Sequence, residues 1–211
     1  MKKHLIQLGI ALLVLFLINP LAAQNRSPQI ELFGGAAFPL SPDGFKDYYK
    51  VGGSIHGQYV IFPSPNMGIS FGAAFESFAV DEDAILAGTG LTSNDVTIDA
   101  SANIGEFGVG VRPYLTPVTA SNQIYLFGMA TFNVVNAKSS VTYTDFFGNE
   151  VTDEFDESEN KFGVAAGGGL EFPAGSSFNI LLQGLVRFIF TSDEFAGGTL
   201  SFVGVTAGVA F

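Results

Sequence analysis

The pattern that most constrains this chain is a strict alternation of apolar residues with small or polar ones. It is clearest in the last 13 residues, TLSFVGVTAGVAF, where the positions between the apolar ones are mostly Gly or Thr. A period of two predicts a β-strand with one apolar face and one that tolerates polar groups. The apolar positions of this run are Val203, Val205, Ala207, Val209 and Phe211.

Seven further runs with the same alternation precede this one. Each is long enough to cross a hydrocarbon layer as a tilted strand, which takes ~9–11 residues. Beyond the first 23 residues, no apolar run approaches the ~18 residues of a membrane-spanning helix. The sequence therefore predicts an all-β fold with strands at about 28–38, 51–62, 67–80, 102–115, 123–136, 161–172, 178–191 and 199–211.

The connections between these runs alternate in length. Those at 63–66, 116–122 and 173–177 are short and begin at or near a proline, whereas those at 39–50, 81–101 and 137–160 are long and polar. Short turns at one end and long loops at the other are typical of bacterial barrels, with the short turns facing the periplasm. Because backbone groups in lipid must all be paired, the prediction is a closed, eight-stranded, antiparallel up-and-down transmembrane β-barrel.

The first 23 residues have the features of a secretory signal peptide. Lys2 and Lys3 form a basic start, residues 8–18 are an unbroken apolar run, and small residues follow at 22–23. The apolar run is too short for a comfortable membrane span, which needs ~20 residues. We therefore expect residues 1–23 to be a cleaved signal peptide and residues 24–211 to form the barrel domain.

Charge and apolar content also favour a membrane protein. Without Lys2 and Lys3 the chain has 7 basic residues (9 − 2) against 20 acidic ones, a net charge of −13, which excludes a surface that contacts nucleic-acid phosphates. Yet only 14% of all residues are charged, compared with ~25% in ordinary soluble domains. A protein whose outer surface faces lipid has no need of more charge.

The leader ending in AAQ, the strand number and the terminal VGVTAGVAF resemble the small eight-stranded outer-membrane proteins, such as outer-membrane proteins A and X, in a form typical of Bacteroidota. The resemblance covers residues 24–211 and implies a cell outer-membrane location in a Gram-negative bacterium. It also implies that the last strand is the assembly signal read by the barrel-insertion machinery. The residues that match this signal are Val203, Val205, Ala207, Val209 and Phe211.

Six charged residues fall on the parity that points into the predicted lumen. An ionised group in so narrow a space must be paired or hydrogen-bonded. We expect two groups of one Arg and two Glu, which would plug the lumen; an ion pathway is the alternative. The periplasmic group is Glu31, Arg112 and Glu171, and the outer group is Glu76, Glu106 and Arg187.

His56 is the one His beyond residue 23 and is predicted to point inward beside Ser54. Lipid-modifying hydrolases and acyltransferases need a His next to a nucleophilic Ser. Ser54 and Ser70 are the candidate neighbours, but no catalytic signature surrounds them. We expect His56 to be a lumen residue with a structural role.

Two acidic clusters lie in the long connections. Carboxylates suit Ca²⁺ or Mg²⁺, which also bridge the phosphates of lipopolysaccharide. The spacing matches no calcium loop, so a solvated acidic surface is the favoured interpretation, and no metal or other cofactor is predicted. The candidate cation-binding residues are Asp81, Glu82, Asp83, Asp153, Glu154, Asp156 and Glu157.

The sequence thus leaves three hypotheses for function. The first is a non-enzymatic barrel with a structural role, or one that presents acidic loops to lipopolysaccharide or surface proteins. The second is a narrow, porin-like pore or a carrier of small apolar molecules, and the third is a lipid-modifying enzyme that depends on His56. The second would be supported by an apolar pocket lined by Phe33, Phe78, Phe127 and Phe202.

Overall fold

The computed structural model describes residues 26–89, 96–144, 147, 149–175, 177–191 and 198–211. Its eight strands form a closed antiparallel barrel in chain order, and the last strand pairs with the first from Glu31↔Ala210 to Ser41↔Ser201. The predicted fold class is therefore confirmed. The predicted signal peptide, residues 1–23, lies outside the described residues.

Two short helices accompany the strands in the described part of the chain. We label the elements in chain order, and the strands alternate in direction around the barrel. No described helix has the length and apolar character needed to cross a membrane. The elements are β1 (Gln29–Ser41), α1 (Asp43–Tyr48), β2 (Gly52–Ser64), β3 (Met67–Ala79), α2 (Glu82–Thr89), β4 (Val96–Pro113), β5 (Gln123–Thr144), β6 (Glu150–Pro173), β7 (Asn179–Ile189) and β8 (Leu200–Ala210).

The outer surface of the barrel is an apolar belt, as the alternation predicts. Ile55, Phe107 and Phe162 are 63%, 63% and 72% exposed, although each belongs to a strand whose alternate residues are buried. A soluble monomer rarely exposes a continuous apolar surface of this kind. Small residues of the opposite parity, such as Gly108 and Gly110, leave room for side chains inside.

Strands β4, β5 and β6 are longer than the sequence predicts. The predicted loops 81–101 and 137–160 are wrong in large part, because β4 begins at Val96 and the β5–β6 ladder continues to Thr144↔Glu150. Beyond the lipid, a strand needs backbone partners but no apolar face, so its hydrophobic alternation fades while its pairing persists. We call residues 96–100, 138–144 and 150–161 the wing, and the barrel end that carries it the wing end.

The two helices lie in the long connections 39–50 and 81–101, where the sequence predicts only loops. Phe45 of α1 is buried, and its ring lies edge-on to Phe78 with 5.0 Å between the centroids. Tyr49, just after α1, forms an isolated antiparallel bridge with Val80. Helix α1 is therefore held against the interior at the wing end of the barrel.

A charge placed in the apolar belt is expected to destabilise the barrel. Phe107 lies in the middle of β4, between Ala73 and Phe132 on the neighbouring strands. Phe107→Arg should lower the free energy of unfolding in lipid bilayers by about 2–4 kcal/mol, because the guanidinium would lie in hydrocarbon. The measurement is urea unfolding of the protein reconstituted in vesicles.

The matched control is Thr142→Arg in the wing, where the strand is expected to lie in water. It should change the free energy of unfolding by no more than about 0.5 kcal/mol. Equal effects of the two substitutions would contradict the lipid-facing assignment of the belt.

Candidate functional site

The six charged residues predicted to face the lumen are all buried. Arg112, Glu31 and Glu76 have no accessible surface, and the remaining three are at most 4% exposed. They divide into groups at opposite ends of the barrel, because Arg112, Glu31 and Glu171 lie near the short turns. Glu76, Glu106 and Arg187 lie nearer the wing end.

Arg112 is held at the short-turn end by a bidentate ion pair with Glu31. Its two terminal nitrogens lie 2.5 and 2.8 Å from the carboxylate oxygens, and the second also donates to Oε1 of Gln58 at 2.7 Å. The guanidinium carbon lies 4.4 Å from the ring centroid of Tyr125. Arg suits this buried position because its planar fork matches a carboxylate and its face stacks on an aromatic ring.

Glu171 is not part of the Arg112 ion pair, so the predicted three-residue group at this end does not form. Its carboxylate accepts instead from Arg26 at 2.5 Å, Asn179 at 2.6 Å and Gln29 at 3.0 Å. The guanidinium carbon of Arg26 lies 4.4 Å from the ring centroid of Phe62 and 4.2 Å from that of Tyr114. Arg26 and these rings close the lumen at the short-turn end.

Arg187 lies between two carboxylates toward the wing end. Its Nη1 is 2.5 Å from Oε1 of Glu76, and its Nε is 3.0 Å from Oε2 of Glu106. Ser54 also donates to Glu76, at 3.2 Å. The structure therefore brings together the three residues predicted for this group, and the lumen here is crossed by paired charges.

His56 lies on β2 between Ser54, which contacts the Arg187 group, and Gln58, which contacts Arg112. Its ring packs on Phe33 with 4.3 Å between the centroids. Within the described residues, both ring nitrogens of His56 and Oγ of Ser70 lack a hydrogen-bond partner. The contacts therefore form no Ser–His pair of the kind a hydrolase needs.

The four phenylalanines considered for an apolar pocket all point inward, but they belong to two separate clusters. Phe33 and Phe127 pack in the short-turn half of the interior. Phe78 and Phe202 pack with Phe45 in the wing-end half, and their own centroids lie 5.4 Å apart. The four do not line one common pocket.

Among the described residues, no strand pairs with the outer edge of β6 in the wing. The ladder between β6 and β7 runs from the short turn up to Gly163↔Ile189. One residue further toward the wing, the Phe190 N–H donates to the Phe162 carbonyl. Within the described residues, 150–161 of β6 therefore pair with β5 alone, over about 36 Å of strand. Phe162, an even-numbered residue, directs its carbonyl away from β5 and toward Phe190. Because the β5–β6 register continues without a bulge, the even-numbered residues 150–160 also direct their backbone N–H and C=O groups away from β5.

The two faces of the wing differ in character. The face that continues the belt is polar and carries Thr142, Thr152 and Glu154, and the opposite face carries Val141, Val151 and Phe155. Lys138 and Asp156 lie opposite each other on the polar face, 2.8 Å apart, and this bond raises the pKa of Lys138. Both side chains are exposed to solvent, so the ion pair contributes little to the stability of the fold.

The candidate cation-binding residues do not converge within the described part of the chain. Among the described residues, no three His, Cys, Asp or Glu side chains converge as a metal site would require. Strand alternation separates Asp153 and Glu157 from Glu154 and Asp156, because the two pairs lie on opposite faces of β6. Asp81 is 3.9 Å from Lys50, while Glu82 and Asp83 occupy the first turn of α2.

The five residues of the predicted assembly signal point away from the lumen. Val205 and Phe211 are 56% and 62% exposed, and the backbone groups of Phe211 bond to those of Ile30 in both directions. The signal therefore lies on the strand that closes the barrel. Its role in assembly stays a prediction; its residues are Val203, Val205, Ala207, Val209 and Phe211.

Sequence reasoning missed Arg26 and the polar side chains that satisfy the buried charges. Arg26 precedes the first predicted strand, so strand parity does not apply to it. The available signal is the balance of buried charge: four inward carboxylates face two inward guanidiniums, so at least one further cation is expected near them.

No family model matches the chain, and no curated protein matches it in sequence. Several solved structures are similar in fold. A major outer-membrane protein of Thermus thermophilus has a TM-score of 0.58 at 12% identity, with 88% of this chain and 99% of that chain covered. Ail of Yersinia pestis, solved in complex with the heparin analogue sucrose octasulfate, has a TM-score of 0.52 at 18% identity, covering 88% and 100%.

Neisserial surface protein A has a TM-score of 0.51 at 12% identity, with 87% of this chain and 95% of that chain covered. At these identities the likeness concerns the fold alone. The chain therefore has the fold of the small eight-stranded outer-membrane barrels, and the predicted resemblance is confirmed at that level.

Removing one partner of the Arg112–Glu31 pair is expected to lower the free energy of unfolding far more than removing both partners. Arg112→Met should lower the free energy of unfolding by about 3–5 kcal/mol, because it leaves a buried carboxylate without its cation. The double variant Arg112→Met with Glu31→Leu should recover most of that loss. Urea unfolding in vesicles measures both, and a double variant less stable than Arg112→Met would contradict the assignment.

Proposed function

We propose that this protein is a non-enzymatic, integral outer-membrane protein whose wing binds an extended, positively charged segment of another protein at the cell surface. The observation that carries the proposal is the edge formed by the even-numbered residues 150–160 of β6, beside which the described part of the chain places no strand. An open edge is a ready template for an added strand, whose backbone supplies the missing hydrogen bonds.

The charge of the edge determines which partner suits it. Four acidic residues, Asp153, Glu154, Asp156 and Glu157, lie within five positions of β6. A strand added beside them would place its own side chains within reach of these carboxylates. Lysine or arginine at alternate positions of the partner would therefore favour binding, and acidic segments would be repelled.

Exposed aromatic residues in the wing and in the connection at its tip add an apolar component. Phe155 is 54% exposed on one wing face, and Phe147, near the tip, is 85% exposed. Aromatic side chains are enriched in protein interfaces, where they provide large contact area at small entropic cost. A partner with alternating basic and apolar residues would match both features of the wing.

An outer-membrane location is supported by the apolar belt and by closure of the sheet. The belt would contact lipid and lipopolysaccharide acyl chains, and the barrel-assembly machinery would act on the last strand before insertion. The non-enzymatic assignment is supported by the lumen contacts, since Ser54 bonds to Glu76 and His56 packs on Phe33.

Blocking the open edge is expected to weaken binding of an extended cationic peptide. Ser158 is exposed and has the parity whose N–H points to the open side, so Ser158→Pro removes a donor without removing one from the β5–β6 ladder. The probe is a fluorescent peptide of alternating Lys and Val, and fluorescence anisotropy with the protein in nanodiscs gives the dissociation constant. We expect it to rise by roughly 2- to 12-fold, as for one lost hydrogen bond of 0.5–1.5 kcal/mol.

The matched control is Ser158→Ala, which keeps the backbone donor and should bind as the wild type does. Glu154→Gln should weaken binding and reduce its dependence on salt, because one screened attraction is lost. If Ser158→Pro binds the peptide as tightly as Ser158→Ala, the edge is not the binding surface.

A narrow gated pore is a second candidate, favoured by polar atoms between the two arginine groups. Within the described residues, the nitrogens of His56, Oγ of Ser70, Nε2 of Gln183 and Oγ1 of Thr206 are buried without a partner. Such atoms can hold water, and paired charges can close a hydrated passage. In this candidate, Arg187 with Glu76 and Glu106 would be the gate.

The pore predicts that Arg187→Ala raises single-channel conductance in planar bilayers, because the charge pairs that cross the lumen are lost. Lys138→Ala, which removes a cation from the exposed wing, is the control and should leave the conductance unchanged. Conductance of Arg187→Ala at the level of the wild type would eliminate the pore.

A further inference from the structure

The interior at the wing end is apolar, although this end is the mouth of the barrel. Ala102, Ile104, Val135 and Leu200 are buried there together with Phe78 and Phe202. An apolar layer at an open mouth is unfavourable unless something covers it. Helix α1 provides the cover by inserting Phe45, which is only 5% exposed.

The cover leaves a cavity of about 280 Å³ between α1 and the barrel wall. Phe45 and Tyr49 line it from the α1 side, and Ala102, Val135, Ala137 and Leu200 line it from the wall. Two of the wall residues are alanines, and a larger side chain at either position would fill the space. None of the described residues that line it is charged.

We propose that this cavity is a binding site for a small uncharged apolar molecule, of the size of a single aromatic ring or a short alkyl chain. An apolar cavity of ~150 Å³ in a protein interior can remain dry and bind benzene. The cavity here is larger than that, but lies just below the ~300–1,000 Å³ of sites for drug-sized ligands. A charged ligand is disfavoured because none of the described lining residues carries an opposite charge to pair with it.

The site is closed on its inner side. Below α1, the rings of Phe78 and Phe202 meet edge-on with their centroids 5.4 Å apart. Arg187 lies beneath them, with its guanidinium carbon 5.6 Å from the Phe202 centroid, and is paired with two carboxylates. A ligand therefore enters and leaves at the wing end, so the protein receives the molecule without passing it through the lumen.

The test uses toluene as the probe and the full barrel in nanodiscs, with methyl-labelled Ala, Val and Leu. We expect the NMR methyl signals of Ala102, Val135 and Leu200 to shift and to saturate as toluene is added. Toluene that merely dissolves in the lipid would change the belt methyl signals linearly, without saturation. Absence of saturable shifts at these three residues up to the solubility of toluene would overturn the proposal.

Filling the cavity should abolish the saturable shifts. Ala137→Phe places a ring in the cavity, and Ala130→Phe is the matched control, because Ala130 lies on the same strand but points to the lipid side. Ala102→Leu fills the cavity from β4 and serves if Ala137→Phe does not fold. Saturable shifts that persist in a folded filled variant would also overturn the proposal.

This inference goes beyond the proposed function and does not depend on it. Toluene binding should be unaffected by Ser158→Pro in the wing, and peptide binding should be unaffected by Ala137→Phe. The two sites can therefore fail or succeed separately.

Discussion

Pairing between the first and last strands is the constraint on which the rest of this structure depends. In hydrocarbon, an unpaired N–H or C=O group costs several kcal/mol, so a sheet with free margins could not remain in a bilayer. The β1–β8 ladder removes both margins, and the backbone bonds between Ile30 and Phe211 extend it to the end of the chain. Once the sheet is closed, one face of every strand meets the surroundings and the other meets a narrow interior.

That narrow interior explains the chemistry of the buried residues. An eight-stranded barrel has an interior just wide enough for side chains to fill, so a buried charge has little water to solvate it. Arg112 and Arg187 therefore each contact a carboxylate at 2.5 Å, and Arg26 does the same for Glu171. Aromatic rings beside all three guanidiniums fill the remaining space. The interior thus combines these charged groups with two apolar clusters, one in the short-turn half and one at the mouth.

Alternation was sufficient to predict the barrel and the inward position of residues such as Glu76, because a period of two directly assigns each residue to a face. It could not predict the wing, where water on both faces removes the hydrophobic signal while backbone pairing continues from Val141 to Asp153. It also could not predict the partner of Glu171, because Arg26 lies before the first strand. Helix α1 and its cavity depend on tertiary packing of Phe45.

The wing is continuous with the barrel wall, without a hinge or a bulge between them. Its three strands are uninterrupted continuations of β4, β5 and β6, and the ladder from Gln123↔Glu171 to Thr144↔Glu150 runs through without a bulge. The orientation of the edge is thus inherited from the tilt of the wall, ~35–45° from the barrel axis. A segment that docked there would be held at a fixed angle and a fixed height above the bilayer, because no flexible linker separates the edge from the barrel.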